Sequence, residues 1–572
     1  MSKYADISDD DFYKSVNKNF SQYKIPKKQP TLEEFCFPKK FSLQIPQQFL
    51  AEFINPKTPY KRILMYHEIG AGKTCAAINI CEGFKGKMNI IVVVPASLKG
   101  NFRWGLRSEC AGNNYLTQTE RNKLAKLNPS SIEYQNIIDI SDERIDSVYT
   151  IYSYNKFIEL VKKERIDFDN TLLIIDEVHN MISDTGTYYR ELERAINSAP
   201  DTLRMVIMTA TPIFDKPEEI ALTMNLLITD RDKLMPKGKQ FINTFMDVKL
   251  TKKGYVYNVK NMKLFKSYVR GYVSYYRGAP SHVFPKTKFR VSKVKMSEKQ
   301  RRIYNGIIKN EAKKTAVRDY VNVDISNNFF IGTRMASNIV FPNNKMGYEG
   351  FESFKPNIFS PKTIDEYSPK FHKIYKNIKK SKRTVFVYSN FKEYGGIKMF
   401  AEMLKYYGYV DYADEGAGLK RYAIWSGDQP FDLKEEIRQV FNDVTNTDGS
   451  KIKIILGSPS VKEGISFLRV EQVHLIEPYW NWSRMNQIIG RAIRFCSHKD
   501  LDIEDQLVNV WIYLAVHPKI KKSVDEHIMH MAITKKKING EFDLAMKQAA
   551  VDCKLFKNGN VQPGDNDYSC DR

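Results

Sequence analysis

Residues 62–74 read RILMYHEIGAGKT, and this stretch decides the fold around it. The apolar run RILMY predicts a buried β-strand, and CAAINICEGF after the stretch predicts a helix. Between them, Gly70 and Gly72 allow backbone amides to curl around a phosphate, while Lys73 supplies charge and Thr74 a hydroxyl for Mg²⁺. A strand, a glycine loop and a helix in this order predict a phosphate-binding loop.

The loop departs from the G-x-x-x-x-G-K-[ST] pattern at its first position, where His67 replaces glycine. The inner glycines, Gly70 and Gly72, make the turn, so the loop is still predicted to bind phosphate without a glycine at the first position. The alternative is a glycine-rich strand–helix turn that binds no ligand. The strand before the loop and the helix after it favour phosphate binding.

Short apolar runs alternate with amphipathic stretches in two parts of the chain, a pattern typical of parallel sheets flanked by helices. The runs are RILMY, NIIVVV, SVYTIYS, TLLIID and RMVIMT, then TVFVYSN, RYAIWSG, KIKIILGS, QVHLIEP and NVWIYLAV. We predict two tandem α/β domains with a helical linker or insertion between them and a helical tail. The predicted bounds are 1–42 for an N-terminal extension, 43–230 for the first domain, 231–370 for the linker or insertion, 371–520 for the second domain and 521–572 for a basic helical tail.

The net charge of the chain indicates what kind of molecule it binds. The chain has 572 residues, a net charge of +23 and ordinary apolar content, 42% hydrophobic with 12% aromatic residues. The length suggests three to four domains, and the apolar fraction excludes a disordered chain. A basic excess of this size indicates nucleic acid, because Lys and Arg that neutralise phosphates release condensed counterions. The alternative is a solubilising surface.

The cysteine pattern and the N-terminal sequence indicate the cellular compartment in which the protein works. Seven cysteines without a CxxC pair argue against a disulfide framework and against a zinc site, so we expect a reducing intracellular compartment. The N-terminus, MSKYADISDDDFYK, is too polar for a signal peptide. No apolar run reaches the length of a membrane span, so we expect no membrane partner.

An acidic pair follows the apolar run TLLII. Asp176 and Glu177 come at the end of this predicted strand, with His179 two residues later. One carboxylate at such a position can hold Mg²⁺, and the next can orient and deprotonate an attacking water. An acidic pair alone often only caps a strand, but this one follows a GKT loop by about a hundred residues. His179 alone would be structural; beside the pair we expect a coupling role.

Two further loops follow predicted strands. The first, TATP, supplies Thr209, Ala210 and Thr211, whose hydroxyls can bridge the acidic pair to a domain interface; alone it would be a strand-ending turn. The second, VKEGIS, offers Glu463 and Gly464 after the run KIKIIL.

The second domain ends in NQIIGRAIRFCSH. Its spacing puts Gln487, Gly490, Arg491 and Arg494 on one face of a predicted helix. Two arginines one turn apart can stabilise charge on a transferred γ-phosphoryl group. The alternative is a solvated basic helix face.

These motifs together resemble superfamily 2 helicases. HEIGAGKT, VVVPASL, DEVH, TATP, VKEGIS and QIIGRAIR look like motifs I, Ia, II, III, V and VI, in the right order over roughly residues 43–520. The resemblance implies two RecA-like domains that share one ATP site.

The resemblance also implies roles for individual residues. Lys73 and Thr74 would bind phosphates and Mg²⁺, Asp176 would bind Mg²⁺, Glu177 would be the general base, and the arginines above would be arginine fingers, with Gln487 beside them. A glutamine near the start usually reads adenine in this family. IPQQF offers Gln47 or Gln48, and we prefer Gln48 because it directly precedes Phe49.

Finer features resemble a narrower group. VVVPASLKGNFRW and MSEKQRRIY are similar to the Swi/Snf-related translocases; VRGYVSYYRG, EPYWNWSRMNQIIGRAIRFCSH and AVDC are similar to helicase-like ATPases of large cytoplasmic DNA viruses, of the poxvirus nucleoside triphosphatase I and early transcription factor type. This resemblance implies an ATP-dependent DNA translocase or helicase in viral transcription, present in the virion and the host cytoplasm. Viral RNA polymerase or another transcription factor subunit would be a partner.

Three other functions compete with this reading. An RNA helicase is possible on the same motifs, because the DEVH spelling does not separate RNA from DNA. A non-catalytic transcription factor subunit could keep the fold as a docking platform, although intact GKT, DE and arginine motifs argue against it. A chromatin remodeller would need a histone-reading module, which is not apparent.

Aromatic residues cluster in GYVSYYRG and EPYWNW, at Tyr272, Tyr275, Tyr276, Tyr479, Trp480 and Trp482. They could stack on bases, but packing at a strand end is the interpretation we favour.

Overall fold

The computed structural model describes residues 4–128, 131–182, 186–251, 254–314, 329–462, 465–561 and 568–571. The chain divides into two compact units. Unit 1 comprises Met1–Ser281 with Ile538–Arg572, and unit 2 comprises His282–Lys537. Each unit is built on a parallel sheet flanked by helices, which confirms the predicted pair of α/β domains.

Unit 1 holds a six-stranded parallel sheet in the order β3-β2-β4-β5-β1-β8, and a separate antiparallel hairpin of β6 and β7. Its central strands are buried on both faces, as expected where helices cover both sides of a parallel sheet. The strands are β1 (Arg62–His67), β2 (Asn89–Val94), β3 (Tyr149–Ser153), β4 (Thr171–Asp176), β5 (Arg204–Thr209), β6 (Met246–Thr251), β7 (Gly254–Val259) and β8 (Val273–Tyr276).

The helices of the first 281 residues lie before, between and after these strands. They are α1 (Phe12–Asn19), α2 (Leu32–Cys36), α3 (Ile45–Phe53), α4 (Lys73–Phe84), α5 (Lys99–Arg107), α6 (Gln118–Leu124), α7 (Ile132–Asp146), α8 (Tyr154–Lys162), α9 (Thr187–Ser198), α10 (Glu219–Leu227), α11 (Gly238–Phe245) and α12 (Met262–Val269).

Unit 2 holds a seven-stranded parallel sheet in the order β11-β12-β13-β10-β14-β15-β9. The strands are β9 (Lys286–Lys295), β10 (Val385–Tyr388), β11 (Val410–Asp411), β12 (Arg421–Trp425), β13 (Ile454–Gly457), β14 (Gln472–Leu475) and β15 (Leu507–Val516). The remaining helices are α13 (Glu298–Lys314), α14 (Ile331–Asn338), α15 (Gly347–Phe351), α16 (Ile364–Tyr367), α17 (Pro369–Ile378), α18 (Ile397–Tyr406), α19 (Tyr412–Glu415), α20 (Phe431–Asn442), α21 (Trp482–Ile489), α22 (Val524–Gln548) and α23 (Cys553–Asn560).

The region predicted as a linker or insertion, 231–370, contributes a strand to each sheet. β8 extends the sheet of unit 1 beside β1, and β9 forms the edge of the sheet of unit 2 beside β15. β9 reads KTKFRVSKVK, and most of its side chains are exposed, so its sequence lacks the apolar run of a buried strand. Lysines are typical of such edges because they discourage further strand pairing.

The predicted extension (1–42) belongs to unit 1, whereas the predicted tail (521–572) is divided: its residues up to Lys537 belong to unit 2 and those from Ile538 to unit 1. Phe12, Val16 and Phe20 are buried in the same cluster as Phe49 and Phe556. Backbone and side-chain bonds also join the two ends of the chain: Ile25 N donates to Leu555 O at 2.9 Å, and the Tyr13 hydroxyl donates to Ala549 O at 2.8 Å.

The expectation of a chain without disulfides was wrong. Cys75 is bonded to Cys110, and Cys553 to Cys570, both within unit 1. The partners are 35 and 17 residues apart in sequence, so no CxxC spacing could reveal them. The spacing of the cysteines therefore gives no support for a reducing compartment. Cys81, on the buried side of α4, keeps a free thiol.

Within the described ranges, no helix combines the length and the apolar composition that crossing a bilayer requires.

Candidate nucleotide site

The phosphate loop connects β1 to α4 with two glycines in left-handed backbone conformation. Gly70 has φ +85° and Gly72 has φ +75°, a region that side-chain-bearing residues rarely adopt. Gly72 is also the N-cap of α4, and no side chain caps this helix end. A Cβ at Gly72 would collide with the Gln47 amide. The first turn of α4 therefore offers backbone amides to an anion, and the loop is a cradle that only glycine can form.

Gln47, rather than Gln48, lies against this loop. The Gln47 side chain is buried, its Nε2 donates to Gly72 O at 3.2 Å, and its Oε1 accepts from Gln44 N at 2.8 Å. Gln48 is exposed and its Nε2 donates to Leu43 O at 2.7 Å. Successive residues of α3 point to different sides, so only Gln47 faces the loop; the reading of adenine, for which Gln48 was preferred, stays a prediction.

Lys73 and His67 interact across the loop. The Lys73 ammonium donates to the backbone carbonyl of His67 at 3.1 Å. The His67 imidazole is fully buried, and its Nε2 lies 3.0 Å from Ser274 Oγ on β8. Burial, with a smaller contribution from the Lys73 charge, lowers the pKa of His67 to about 3, so the ring is neutral. The residue that replaces the usual glycine is therefore a neutral, buried anchor.

The loop and the acidic pair meet at one edge of the sheet. β5 lies between β1 and β4, and all three strands run parallel, so their carboxyl ends share that edge. The register pairs Tyr66 with Thr209 and Met208 with Asp176. Thr74, at the start of α4, and Asp176 therefore belong to the same end of the sheet, which is where open α/β sheets bind ligands.

Glu177 stands at a bend directly after β4. Its φ of +48° is left-handed, a conformation that costs of order 1–3 kcal/mol in a residue other than glycine and clusters at functional sites. Thr209 Oγ1 donates to Glu177 Oε2 at 3.3 Å and lies 3.0 Å from His179 Nδ1. His179 Nδ1 is also 3.4 Å from Glu177 Oε2. Thr209 thus links the acidic pair to His179.

The backbone of the acidic pair is held from the other side by Tyr154. Its hydroxyl contacts Asp176 O at 2.5 Å and Glu177 O at 3.0 Å. The His179 ring stacks on Phe214 with centroids 4.8 Å apart. These contacts hold the Glu177 carboxylate in position at the end of β4, where a general base would be needed.

In unit 2 the predicted helical face does not form. α21 ends at Ile489 with Gly490 as its C-cap, and Arg491 and Arg494 lie in turns beyond it. Gln487 is buried in the last turn of the helix. The helix stops at Gly490, whose backbone stays right-handed with φ −62° and ψ −8°, so the helical spacing that joined these four residues is not kept beyond it.

The two arginines are nevertheless neighbours. Arg491 Nη1 donates to Ile465 O at 3.4 Å, and Arg494 Nε donates to Gly490 O at 3.2 Å. Burial and the charge of Arg491 lower the pKa of Arg494 to about 9. In the described part of unit 2 no carboxylate forms an ion pair with Arg494. Two crowded, partly desolvated guanidinium groups suit an incoming anion such as a phosphate. Glu463 and Gly464 lie outside the described residues.

The aromatic clusters are largely core residues, in agreement with the packing interpretation. Tyr275 and Tyr276 on β8 are buried in unit 1. Tyr479 and Trp480 are 6% and 4% exposed and stack on each other with centroids 3.9 Å apart. These four rings are too covered to stack on bases.

The residues present fit a Mg²⁺–nucleotide. Thr74 and Asp176 supply the hydroxyl and carboxylate oxygens that Mg²⁺ accepts alongside water and phosphate. The glycine cradle and the uncapped helix end supply the amides for phosphate oxygens.

Comparison with known proteins agrees with this site. The model of the type III restriction enzyme res subunit matches residues 40–214, and that of the helicase conserved C-terminal domain matches residues 369–496. A protein of Acanthamoeba polyphaga mimivirus, whose name proposes an ATP-dependent RNA helicase, is 61% identical over 100% of this chain and 99% of its own length. The chain belongs to the superfamily 2 helicases, which are ATP-hydrolysing enzymes that act on nucleic acids.

Within that class the chain is similar to the Swi/Snf-type helicases of large DNA viruses, as the motifs indicate. The termination factor NPH-I homolog of African swine fever virus is 25% identical over 86% of this chain and 76% of its own length. A solved structure, the Pyrococcus furiosus Hef helicase domain, has 13% identity and a TM-score of 0.40, with 83% of this chain and 96% of that chain covered.

Proposed function

We propose that this chain is an ATP-driven DNA translocase or helicase that acts in the transcription of a large DNA virus. One observation carries the ATPase part: the glycine cradle before α4 and the Glu177–Thr209–His179 group end neighbouring strands at one edge of the sheet of unit 1. A net charge of +23 supports a nucleic acid as the partner, and the choice of DNA rests on the resemblance of the motifs to the Swi/Snf-related translocases.

Each residue of unit 1 has a proposed task. Lys73 leaves the His67 carbonyl to meet the β- and γ-phosphates, and Glu177 orients and deprotonates the attacking water. Thr209 holds the Glu177 carboxylate in position and passes its state to His179. Gln47 keeps Gly72 in the conformation that the phosphate requires.

Thr74 and Asp176 would hold Mg²⁺. The bound ion supplies neutralisation of phosphate charge and polarisation of the γ-phosphoryl group. Thr74 contributes a hydroxyl at the start of α4, and Asp176 contributes a carboxylate at the end of β4.

Arg491 and Arg494 are proposed as arginine fingers, with Gln487 beside them as a supporting polar group. Their positive charge acts on the γ-phosphoryl group mainly in the transition state, where its charge is redistributed. The lowered pKa of Arg494 supports this role, because a guanidinium in a crowded, desolvated site gains from an anionic partner.

The polymer and the setting rest on resemblance. Backbone phosphates would be gripped without regard to sequence, and each ATP cycle would shift the grip. A viral RNA polymerase or another transcription factor subunit is the proposed partner, and the virion and host cytoplasm the proposed location. Mass spectrometry of purified virions would test the location, and absence of the chain there would contradict it.

An RNA helicase is the second candidate, because two mimivirus relatives, 61% and 27% identical, carry names that propose RNA helicases. Steady-state ATPase rates with no polymer, single-stranded DNA, duplex DNA and single-stranded RNA separate the candidates. We expect the largest stimulation with DNA; stimulation by RNA alone would overturn the DNA proposal. No ATPase with any polymer would favour the non-catalytic docking platform.

A further inference from the structure

The phosphate loop is contacted by a part of the chain almost five hundred residues away in sequence. Asp552, the N-cap of α23, receives the Ser274 hydroxyl on one carboxylate oxygen and the Tyr275 amide, at 3.0 Å, on the other. Ser274 Oγ is 3.0 Å from His67 Nε2. All three side chains are fully buried. A continuous buried chain of hydrogen bonds therefore runs from α23 to the first residue of the loop.

The direction of the protons in these hydrogen bonds depends on the ionisation of Asp552. Burial raises the pKa of Asp552 to about 7, so above that pH the carboxyl is ionised and accepts the single hydroxyl proton of Ser274. His67 must therefore donate to Ser274 through Nε2, which leaves its Nδ1 as a bare acceptor. That atom has no partner among the described residues, and a buried acceptor without a partner is better tolerated than a buried N–H without one. The Asp552 carboxylate thus selects the His67 tautomer.

A second set of contacts supports the next residue of the loop. The Tyr275 hydroxyl donates to Glu68 Oε1 at 2.7 Å, and Lys547 on α22 lies 3.7 Å from the same oxygen. Asn560 bonds the Tyr275 carbonyl at 3.0 Å and the Arg277 amide at 2.9 Å. Val551 N donates to Val273 O at 2.8 Å. The segment 547–560 therefore covers the outer side of β8 and reaches the loop across it.

We propose that Asp552 and Ser274 are positioning residues of the ATP site: through His67 they fix the backbone at the start of the phosphate loop, from which Lys73 reaches the phosphates. We call Lys547, Asp552, Asn560, Ser274 and Tyr275 the C-terminal brace. His67 connects the brace to Lys73, because its ring contacts Ser274 at 3.0 Å and its carbonyl accepts from the Lys73 ammonium at 3.1 Å. None of the brace residues belongs to the phosphate loop, so the brace acts on ATP only through the loop. The inference rests on the proposed ATPase.

An isosteric pair at position 274 tests the proposal. Ser274→Thr keeps the hydroxyl, and Ser274→Val has the same shape without it. We expect Ser274→Val to raise the KM for ATP about tenfold, the factor of one buried hydrogen bond, with kcat changed much less. Ser274→Thr should restore a KM within about threefold of wild type. A merely structural role would lower thermal stability in the valine variant without this split between KM and kcat.

Asp552→Asn, assayed above pH 7 where wild-type Asp552 is ionised, is the sharper test. The Tyr275 amide needs the side-chain oxygen of the new asparagine as its acceptor, so the new NH₂ group faces Ser274. The donor and acceptor roles along the series of hydrogen bonds are then reversed. Ser274 must then donate to His67 Nε2, and His67 must place its proton on the unpartnered Nδ1. We expect a KM rise like that of Ser274→Val although size and shape are unchanged. This variant also decides the case if Ser274→Val does not fold.

Ser141→Ala is the matched control, because Ser141 is a buried hydroxyl that bonds a charged side chain, Arg107 Nε at 3.0 Å, away from the loop. It should lose stability and keep the KM for ATP. All assays use the full chain with saturating nucleic acid. If the wild type hydrolyses ATP and neither Ser274→Val nor Asp552→Asn changes the KM for ATP, the proposed role of the brace is wrong and the proposed ATPase function stands. A wild type without ATPase activity would instead refute the proposed function.

Discussion

Gln47→Ala and Gln48→Ala differ by one position and should differ sharply in effect. Gln47 is 4% exposed, and its side chain makes two hydrogen bonds, to Gly72 O at 3.2 Å and from Gln44 N at 2.8 Å. At about 1 kcal/mol of net stabilisation each, their loss should lower the free energy of unfolding by about 2 kcal/mol. Gln48 bonds only Leu43 O from an exposed position, so its loss should cost under about 0.5 kcal/mol.

The effect on catalysis follows from one of the two bonds. Only the bond to Gly72 bears on the phosphate loop, and about 1 kcal/mol corresponds to about a fivefold change in an equilibrium. We therefore expect Gln47→Ala to raise the KM for ATP about fivefold and Gln48→Ala to leave it within about twofold. Steady-state ATPase titrations at saturating nucleic acid measure both. A fivefold rise for Gln48→Ala with no change for Gln47→Ala would refute this reading of the loop.

Four further outcomes test the site and its partner. Lys73→Ala should abolish turnover yet keep nucleic-acid binding without nucleotide, and near-normal ATPase activity would remove the loop assignment. Glu177→Gln should still bind Mg-ATP but accumulate in the ATP-bound state; failure to bind ATP in a filter or fluorescence assay would make Glu177 structural. Arg491→Ala or Arg494→Ala should lower kcat by about 10³ with a far smaller change in KM, and lysine should not rescue fully because it lacks the planar fork. An unchanged kcat in both variants would mean that they only contact nucleic acid or solvent. Nucleic-acid affinity should fall with salt at a log–log slope of about −0.7 to −0.9 per phosphate contacted, and a flat titration would exclude nucleic acid as the main partner.

The sequence predicts the parts of the fold whose signals are local. Each apolar run quoted from the sequence contains a strand, and the glycines and GKT after RILMY form the uncapped loop because strand, turn and helix chemistry follow one another along the chain. β8 and β9 escape prediction because neither contains an apolar run. β8 reads VSYY, with a single aliphatic residue, and β9 is an edge strand whose exposed lysines and arginine hide its pairing.

The site was harder to predict wherever geometry depends on a single turn or on distant contacts. Gln47 and Gln48 are equivalent by composition, and only the start of α3 decides which one faces Gly72. Arg491 and Arg494 have helical spacing, but the helix ends at Gly490 before them. AVDC contributed to the family resemblance but gave Asp552 no role, because its contact with Ser274 exists only in the folded chain.

The order in which the chain leaves the ribosome has a consequence for unit 1. Its final segment, from Ile538, is synthesised only after the whole of unit 2, His282–Lys537. At about 5–20 residues per second, translation of that intervening stretch takes on the order of 10–50 s. During this delay the outer side of β8 lacks Val551, Asp552 and Asn560, and the nascent chain carries an unsealed sheet edge that can pair wrongly. Unit 2 can therefore fold before unit 1 is complete. Unit 1 would bind nucleotide only after synthesis of the chain has ended.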